Sequence, residues 1–224
     1  MTPNASLVEQ ALRQKIVTVG RRLFDRGLIV ATDGNLSVRL GPKHVLITPA
    51  ELGKADLKPS DLIVVDMDGR PARQGRRRPS SETPMHLEVY RQAPAAWAVI
   101  HAHPPFATAL TVAGIPFPGD MLPETAATIG DVPTTDLAMP GSDEDAAAIR
   151  VLIADHRALL LRQHGSLTYG SSLDEACDHL ERMEHAARVF WLAHSLGRVQ
   201  RLPPKLMARL DAYRRRAGVE GDGE

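Results

Sequence analysis

Short strand patterns and helix patterns alternate along the whole chain, and no other feature of the sequence restricts the fold as much. Alternating apolar residues predict a strand at 36–40, and a Gly-Pro turn connects it to a second apolar run at 45–47, as in a hairpin. Because parallel strands need crossovers of a dozen or more residues, the short connections favour a largely antiparallel or mixed sheet. The other strand patterns lie at 62–65, 97–100, 158–161 and 167–169, and the helical patterns at 6–27, 83–91, 104–113, 123–129, 143–155, 172–196 and 204–215.

Strands and helices interleave without a fixed repeat, and no long flexible linker divides the chain. With 224 residues the chain is long enough for one domain with a substantial core. We therefore predict a single α/β domain over residues 1–224, in which residues 218–224 form a frayed tail. Serine and glutamate at capping-box spacing predict that two of the helices begin near Ser6 and Ser172.

The charge balance and the cysteine content exclude several classes of function. The 27 Lys and Arg residues balance 27 Asp and Glu residues, so no long-range field attracts nucleic acid or an anionic membrane. The single cysteine, Cys177, excludes an intrachain disulfide and a multi-cysteine metal site, so a metal must be bound by His and carboxylates. No apolar run approaches the length of a membrane span, and the first residues do not resemble a secretion signal. We expect a cytoplasmic protein with neither nucleic-acid nor membrane partners.

Two histidines stand at the end of a buried apolar strand, in the segment Ile100-His101-Ala102-His103-Pro104. Side chains two residues apart in a strand point to the same face, so both imidazoles can converge on one point. His164 follows another apolar strand and precedes a glycine, so it also lies at a strand end. Three neutral imidazoles with one open position suit Zn²⁺ as a Lewis acid. The three histidines are therefore candidate metal ligands, against the alternative that each only hydrogen-bonds to backbone.

Other residues with reactive side chains are weaker candidates. Glu181 and His185 lie four apart on a helix and can form a metal pair, but an acid and a base on a charged helix face are usually solvated. Cys177 fits the pattern of a small buried apolar residue. The three arginines at 76–78 can bind an anion, although a solvated loop is the commoner interpretation. No partner at a useful spacing is found for His86, His156, His179 and His194.

Residues 80–82 read Ser-Ser-Glu and stand directly before a helix. Serine hydroxyls and free backbone N–H groups near a helix start can bind a phosphate or another anion, but a serine there equally caps the helix. Gly34 and Asn35 predict a tight turn with an amide side chain, which is a weak signal alone. Glu82 is the only carboxylate beside this candidate pocket, and close to three histidine ligands it would suit acid/base chemistry.

Five short motifs occur in one order along the chain, and together they resemble the class II aldolase/adducin family, whose founding type is L-fuculose-phosphate aldolase. The resemblance covers roughly residues 7–196. It implies a three-layer α/β/α sandwich around a mainly antiparallel sheet, and a homotetramer with active sites at subunit boundaries. The motifs are Gly34-Asn35-Leu36-Ser37, Ile47-Thr48-Pro49, Pro79-Ser80-Ser81-Glu82, His101-Ala102-His103-Pro104 and His164-Gly165.

The resemblance also implies roles for individual residues. Glu82 would be the catalytic acid/base. The ligands of Zn²⁺, or of another divalent ion such as Mn²⁺, would be His101, His103 and His164. The substrate-phosphate pocket would include Gly34, Asn35, Ser80 and Ser81.

Two positions depart from the family pattern. Where the aldolases continue Thr-Pro with a Ser or Thr and a Gly that bind phosphate, this chain has Ala50 and Glu51. A carboxylate beside a phosphate dianion is unfavourable unless it turns away or Lys54 offsets it, and we expect Glu51 to point to solvent. The family tyrosine that reaches a neighbouring site has no counterpart at 119–121, where Asp120 is a candidate second acid.

The implied activity is metal-dependent cleavage of a ketose 1-phosphate, similar to fuculose 1-phosphate, to dihydroxyacetone phosphate and an aldehyde. Sugar-phosphate epimerisation, dehydration and decarboxylation occur on the same scaffold and remain alternatives. Adducin-like members are interaction modules that lack the metal-binding histidines and the glutamate. Because all four of these residues are present here, we expect an enzyme acting on a sugar phosphate rather than an interaction module.

Overall fold

A computed structural model describes the backbone of residues 3–221 and the side chains of residues 6–216. Each predicted strand and helix is present within this range, with ends displaced by a few residues in most cases. The helices are α1 (Pro3–Asp25), α2 (Thr83–Gln92), α3 (Pro105–Ala113), α4 (Pro123–Thr128), α5 (Asp143–Arg150), α6 (Leu173–Leu196) and α7 (Pro204–Gly221), with a short 3₁₀ helix at Pro59–Asp61. The strands are β1 (Asn35–Arg39), β2 (His44–Ile47), β3 (Ile63–Asp66), β4 (Ala98–Ala102), β5 (Ala158–Leu161) and β6 (Gly165–Gly170).

The strands form one six-stranded sheet in the order β3-β2-β1-β4-β6-β5, and every neighbouring pair is antiparallel. This confirms the antiparallel sheet that the short connections predicted. The register places Asn35 beside His101 and Ser166 beside Ala102. The start of β1, the end of β4 and the turn between β5 and β6 therefore lie at the same end of the sheet.

Helices cover both faces of the sheet, which gives the predicted three-layer α/β/α sandwich. On one face, α1, α3 and α6 pack through apolar residues such as Ile16, Leu110 and Leu180. On the other face, α2 and α5 pack through residues such as Met85 and Ile149. Over the part of the chain that the structure describes, no helix has the length and the apolar composition needed to cross a membrane.

The helix ends confirm one predicted cap and correct another. Ser172 caps α6, because its hydroxyl accepts a hydrogen bond from the Glu175 backbone N–H at 3.1 Å. The predicted start near Ser6 is wrong, since α1 already begins at Pro3 and Ser6 lies inside it. At the other end, α7 continues to Gly221 through most of the segment predicted to be frayed, and residues 222–224 lie outside the described residues.

Candidate functional site

Three histidines meet where β4 ends and the turn between β5 and β6 passes over it. His101 is in β4, His103 follows that strand, and His164 lies in the turn. Their ring centroids are 4.7 to 5.1 Å apart, and one ligand nitrogen of each lies within 4.8 Å of the others. The structure thus brings together the three sequence-predicted ligands.

His101 is held in a single tautomer. Its Nδ1 lies 2.9 Å from the backbone carbonyl oxygen of Ser166, which can only accept, so Nδ1 carries the proton. Its Nε2 then presents a lone pair towards Nε2 of His103, 2.9 Å away. Burial, with His103 and His164 nearby, lowers the pKa of His101 well below its usual range, and burial also lowers the pKa of His103. Both rings are therefore neutral at neutral pH, which is the state that metal ligands need.

The turn that carries His164 approaches β4 very closely. A Cβ at Gly165 would stand 2.5 Å from the Ala102 carbonyl oxygen and 2.7 Å from Cδ2 of His103, so only glycine allows this approach. Gln163 adopts the left-handed region with φ 53°, and its N–H donates to the Thr111 hydroxyl at 3.0 Å. A contact with α3 therefore supports the strained residue that precedes His164.

Glu82 stands directly before α2, and its buried carboxylate touches two of the three imidazoles. Oε2 lies 3.3 Å from Nε2 of His101, and Oε1 lies 3.3 Å from Nε2 of His164. Burial raises the pKa of Glu82, although the hydrogen bond from Asn35 and the nearby His164 oppose this. A carboxyl group whose pKa is raised towards neutrality is suited to giving and taking protons.

The four residues predicted to bind phosphate lie beside Glu82. Gly34 has φ 69°, and a Cβ there would stand 2.9 Å from the His101 carbonyl oxygen. Asn35 is buried, and its Nδ2 donates to Oε2 of Glu82 at 2.6 Å and to Oγ of Ser80 at 3.0 Å. Ser81 is exposed. Both Asn35 donors are engaged within the protein here, so the phosphate role of these residues stays a prediction.

The turn after Thr-Pro holds Glu51 in a conformation that favours glycine, the residue that the family resemblance implies at this position. Glu51 has φ 56°, a left-handed conformation that glycine adopts without strain. Its side chain is exposed and lies 3.4 Å from Arg78, so it points to solvent as expected. Lys54 does not face Glu51. It is buried, and its Nζ donates to the carbonyl oxygens of Thr32 at 2.6 Å and Leu52 at 3.3 Å, while burial lowers its pKa to about 8.

A second buried carboxylate in this region belongs to Asp145, which the sequence did not single out. Its carboxylate lies within 4.8 Å of the ligand atoms of Glu82 and His164, and burial raises its pKa. In the sequence it is the last of three acidic residues at 143–145, a pattern that only indicates a helix N-terminus. Asp120, the candidate named from the sequence, instead pairs with Arg201 at 2.6 Å within this chain.

The sequence indicates no partner for His86, but in the structure its side chain contacts two polar side chains. It is fully buried in α2, and it contacts Asn35 through Nε2 and Ser37 through Nδ1. The signal that points to it is its position four residues after Glu82, because residues four apart share one face of a helix.

The weaker candidates have other contacts. The carboxylate of Glu181 pairs with Arg22 at 2.8 Å and also with Arg26, so it is engaged away from His185. Burial raises the pKa of the Cys177 thiol to about 12, which makes it a buried apolar residue as predicted. In the arginine run, Arg77 pairs with Asp61 at 2.7 Å.

Comparisons with known proteins agree with the fold. An aldolase from Rhodospirillum rubrum that acts on 5-methylthioribulose 1-phosphate and 5-deoxyribulose 1-phosphate is 32% identical over 200 residues, 89% of either chain. A 3-oxo-tetronate 4-phosphate decarboxylase from Escherichia coli K12 is 33% identical over 83% of this chain and 88% of that protein. A solved structure of L-fuculose 1-phosphate aldolase matches with a TM-score of 0.82 and 32% identity, over 89% of this chain and 94% of that one.

The family described as class II aldolase and adducin N-terminal domain matches residues 14–191, which includes every candidate site residue. The chain therefore belongs to the class II aldolase and adducin family.

Proposed function

We propose that this protein is a divalent-metal-dependent aldolase that cleaves a ketose 1-phosphate to dihydroxyacetone phosphate and an aldehyde. The observation that carries the proposal is the meeting of three imidazoles, two of them held neutral by burial, beside the buried carboxylate of Glu82. The relative from Rhodospirillum rubrum, named for the cleavage of two ketose 1-phosphates, supports this substrate class.

The three histidines fit Zn²⁺ or Mn²⁺. The donor set is three nitrogens within 4.8 Å of one another, and the Ser166 carbonyl fixes the outer nitrogen of His101 as backbone carbonyls do for metal-binding histidines. When bound, the ion would act as a Lewis acid that polarises the ketone and stabilises the negative charge formed as the carbon–carbon bond breaks.

Glu82 supplies the proton that completes the three-carbon product. After the bond between C3 and C4 of the ketose breaks, C3 must gain one proton to give dihydroxyacetone phosphate. Oε2 of Glu82 already accepts the Asn35 N–H at 2.6 Å, so the transferable proton sits on Oε1, the oxygen that lies 3.3 Å from His164. Burial raises the pKa of Glu82 above its ordinary value, which favours the protonated form that gives this proton.

The C4 hydroxyl must lose its proton as it becomes the carbonyl of the aldehyde. Asp145 is the acceptor that we propose within the same chain, because its buried carboxylate lies within 4.8 Å of the ligand atoms of Glu82 and His164. Asp120, contributed by a neighbouring subunit, remains the alternative acceptor.

For the phosphate, we propose binding at the Gly34 turn and at Ser80 and Ser81, with Glu51 turned to solvent.

Decarboxylation of a phosphorylated 3-keto acid is a second candidate, favoured by the Escherichia coli relative of that name. Loss of carbon dioxide also leaves an anion that needs one proton, which Glu82 can give. It requires no acceptor for a hydroxyl proton, and Asp145 would repel the carboxylate that leaves. The buried Asp145 therefore favours aldol cleavage over decarboxylation.

Both reactions give dihydroxyacetone phosphate, so they are separated by the compound that is consumed and by the second product, which is an aldehyde or carbon dioxide. The zinc-loaded and manganese-loaded proteins are incubated with 5-deoxyribulose 1-phosphate, fuculose 1-phosphate and 3-oxo-tetronate 4-phosphate, with Glu82→Gln as the inactive control. We expect dihydroxyacetone phosphate from a ketose 1-phosphate. Carbon dioxide and dihydroxyacetone phosphate from 3-oxo-tetronate 4-phosphate, with no aldehyde from either ketose 1-phosphate, would establish the decarboxylase. No product from any compound would contradict both activities.

We also propose that the enzyme is a cytoplasmic homotetramer with active sites at subunit boundaries. The support is the family membership and the single, buried cysteine, which suits a reducing compartment. Sedimentation of the purified protein measures the assembly, and a monomer at enzyme-assay concentrations would contradict it.

A further inference from the structure

A row of polar side chains lies buried between β1 and α2, behind Glu82. On the strand they stand at every second position and on the helix at every fourth, so each set occupies one face of its element. Asn35, Ser37, His86 and Tyr90 are each at most 3% exposed, which is unusual for polar side chains. We call this row the polar seam, and its members are Asn35, Ser37 and Arg39 on the strand side and Glu82, His86 and Tyr90 on the helix side.

The hydrogen bonds of the polar seam have one direction, set by the carboxylate. A carboxylate accepts, so Asn35 must turn its Nδ2 to Glu82 and its Oδ1 to Nε2 of His86. Since Oδ1 also only accepts, Nε2 of His86 carries the proton.

The remaining bonds follow from that tautomer. Nδ1 of His86 has a lone pair and accepts from the Ser37 hydroxyl at 2.7 Å. The Ser37 oxygen then accepts from the Tyr90 hydroxyl at 2.8 Å. Arg39 closes the far end, because its guanidinium lies 4.7 Å from the centroid of the Tyr90 ring and donates to the Tyr90 carbonyl oxygen at 2.6 Å.

The polar seam is stable in this arrangement only. Burial lowers the pKa of His86 to about 3, so the ring stays neutral and keeps one donor and one acceptor nitrogen. If the Asn35 amide turned over, its Nδ2 would face the Nε2–H of His86 and its Oδ1 would face the Glu82 carboxylate, and each buried unsatisfied group costs about 1–3 kcal/mol. The hydrogen bond with His86, on the side of Asn35 away from Glu82, therefore fixes the orientation of the Asn35 amide.

We infer that His86 is a positioning residue, which acts through Asn35 to hold the Glu82 carboxylate with Oε2 engaged by Asn35 and Oε1 directed towards His164 for proton transfer. The inference rests on the proposed function in one respect, namely that Glu82 is the acid/base. A group that only fills space between β1 and α2 would need neither the fixed tautomer nor the donor at Nε2.

Turnover distinguishes positioning from packing. His86→Leu keeps an apolar side chain of similar size but removes the donor to Asn35, so kcat should fall roughly 10–100-fold, as expected for a misplaced catalytic group. KM should change little, because His86 does not bind the substrate. His86→Gln retains an N–H at similar reach and should recover most of the lost kcat. Equal kcat in wild type and His86→Leu, or no recovery in His86→Gln, would overturn the inference.

A second measurement needs neither metal nor turnover. Nitrogen NMR of the metal-free protein with isotope-labelled histidine should show His86 as the neutral Nε2–H tautomer from about pH 5 to about pH 8. An Nδ1–H tautomer, or a ring that titrates near its ordinary pKa, would overturn the inference. This readout also separates the positioning role of His86 from the proposed function. A protein that cleaves no ketose 1-phosphate contradicts the proposed function, whereas the His86 tautomer tests the polar seam whether or not the protein is active.

Ser37→Ala makes the same test if His86→Leu does not fold. It removes the donor to Nδ1 while Asn35 Oδ1 still accepts from Nε2, so His86 should keep the Nε2–H tautomer but lose one of the two bonds that hold its ring, and kcat should fall with metal content unchanged. Wild-type kcat in Ser37→Ala would contradict the positioning role.

Discussion

Single residues decide whether this site can bind a metal. Each of the variants His101→Ala, His103→Ala and His164→Ala leaves two imidazoles to hold the metal. Loss of a residue that only supports a ligand lowers metal affinity roughly 10–100-fold, so loss of a ligand itself should lower the affinity by at least that factor. Elemental analysis after dialysis measures the bound metal, and circular dichroism checks the fold. His194→Ala, near the end of α6, is the matched control. Wild-type metal content in all three variants would refute the ligand assignment.

The proposed acid/base role of Glu82 can be tested separately from metal binding. Glu82→Gln keeps the size of the side chain and a hydrogen-bonding oxygen, so metal content should stay at the wild-type level. Turnover should fall roughly 10²–10⁴-fold, the usual contribution of a positioned acid or base. The measurement is kcat with the ketose 1-phosphate that the wild type uses best. A variant as active as wild type would remove Glu82 from the mechanism.

Glu51 affects stability rather than substrate choice. Its φ of 56° is strained for any residue with a Cβ, so Glu51→Gly should relieve this strain in the folded state. After subtraction of the entropy that glycine adds to the unfolded chain, the free energy of unfolding should rise by about 1 kcal/mol. The side chain is exposed, so kcat/KM for a phosphorylated ketose should change little. Denaturant unfolding and steady-state kinetics test the two statements. A large gain in kcat/KM would mean that Glu51 faces the bound phosphate.

At the scale of elements, the start of α6 depends on one hydroxyl. Ser172→Ala removes the hydrogen bond to the Glu175 N–H, so the free energy of unfolding should fall by about 1 kcal/mol. Ser195→Ala is the control, because Ser195 lies near the other end of the same helix and its hydroxyl donates to the Trp191 carbonyl oxygen within the helix. Urea unfolding compares the two variants. Equal stability of both would show that the cap does not limit α6.

The contrast between α1 and α6 shows how far capping signals can be trusted in this chain. Both helices carry a serine with a glutamate three residues later, but only Ser172 is a cap. Before Ser172 the chain comes out of β6 and cannot continue as a helix, whereas Pro3 and Asn4 precede Ser6 and allow α1 to begin earlier. The spacing marks where a helix can begin, and the preceding chain decides whether it does.

At the scale of the whole molecule, the buried neutral histidines make stability depend on pH. The pKa of His86 is about 3 in the folded state and about 6.5 when unfolded, so below about pH 6.5 the unfolded chain binds a proton that the folded chain does not. The contribution of His86 is fully present above that pH and is lost as the pH falls towards 3, by up to about 1.4 kcal/mol per pH unit. His101 acts in the same direction.

Urea unfolding of the metal-free protein at several pH values between about 7.5 and 5 tests this dependence. The free energy of unfolding should decrease as the pH decreases, and the slope should be shallower in His86→Gln. Glu82, whose pKa burial raises, contributes in the opposite sense in both proteins, so the comparison isolates His86. Identical slopes would mean that His86 does not stay neutral in the folded chain.

The sequence by itself determined the elements, the antiparallel sheet and the pairing of His101 with His103. These depend on local periodicity, turn residues and strand geometry, which a few neighbouring residues specify. The likeness of five motifs to one family also indicated His164 and Glu82, although no local pattern connects them to the histidine pair.

Only the tertiary structure decided which other side chains reach the site. The register of Asn35 beside His101, and the packing of α2 and α5 on one face of the sheet, bring His86 and Asp145 into the site region and leave Glu51 outside. Such contacts join residues far apart in the chain, and their geometry depends on how whole elements pack. A polar residue in a helix pattern therefore remains ambiguous until the element opposite it is known.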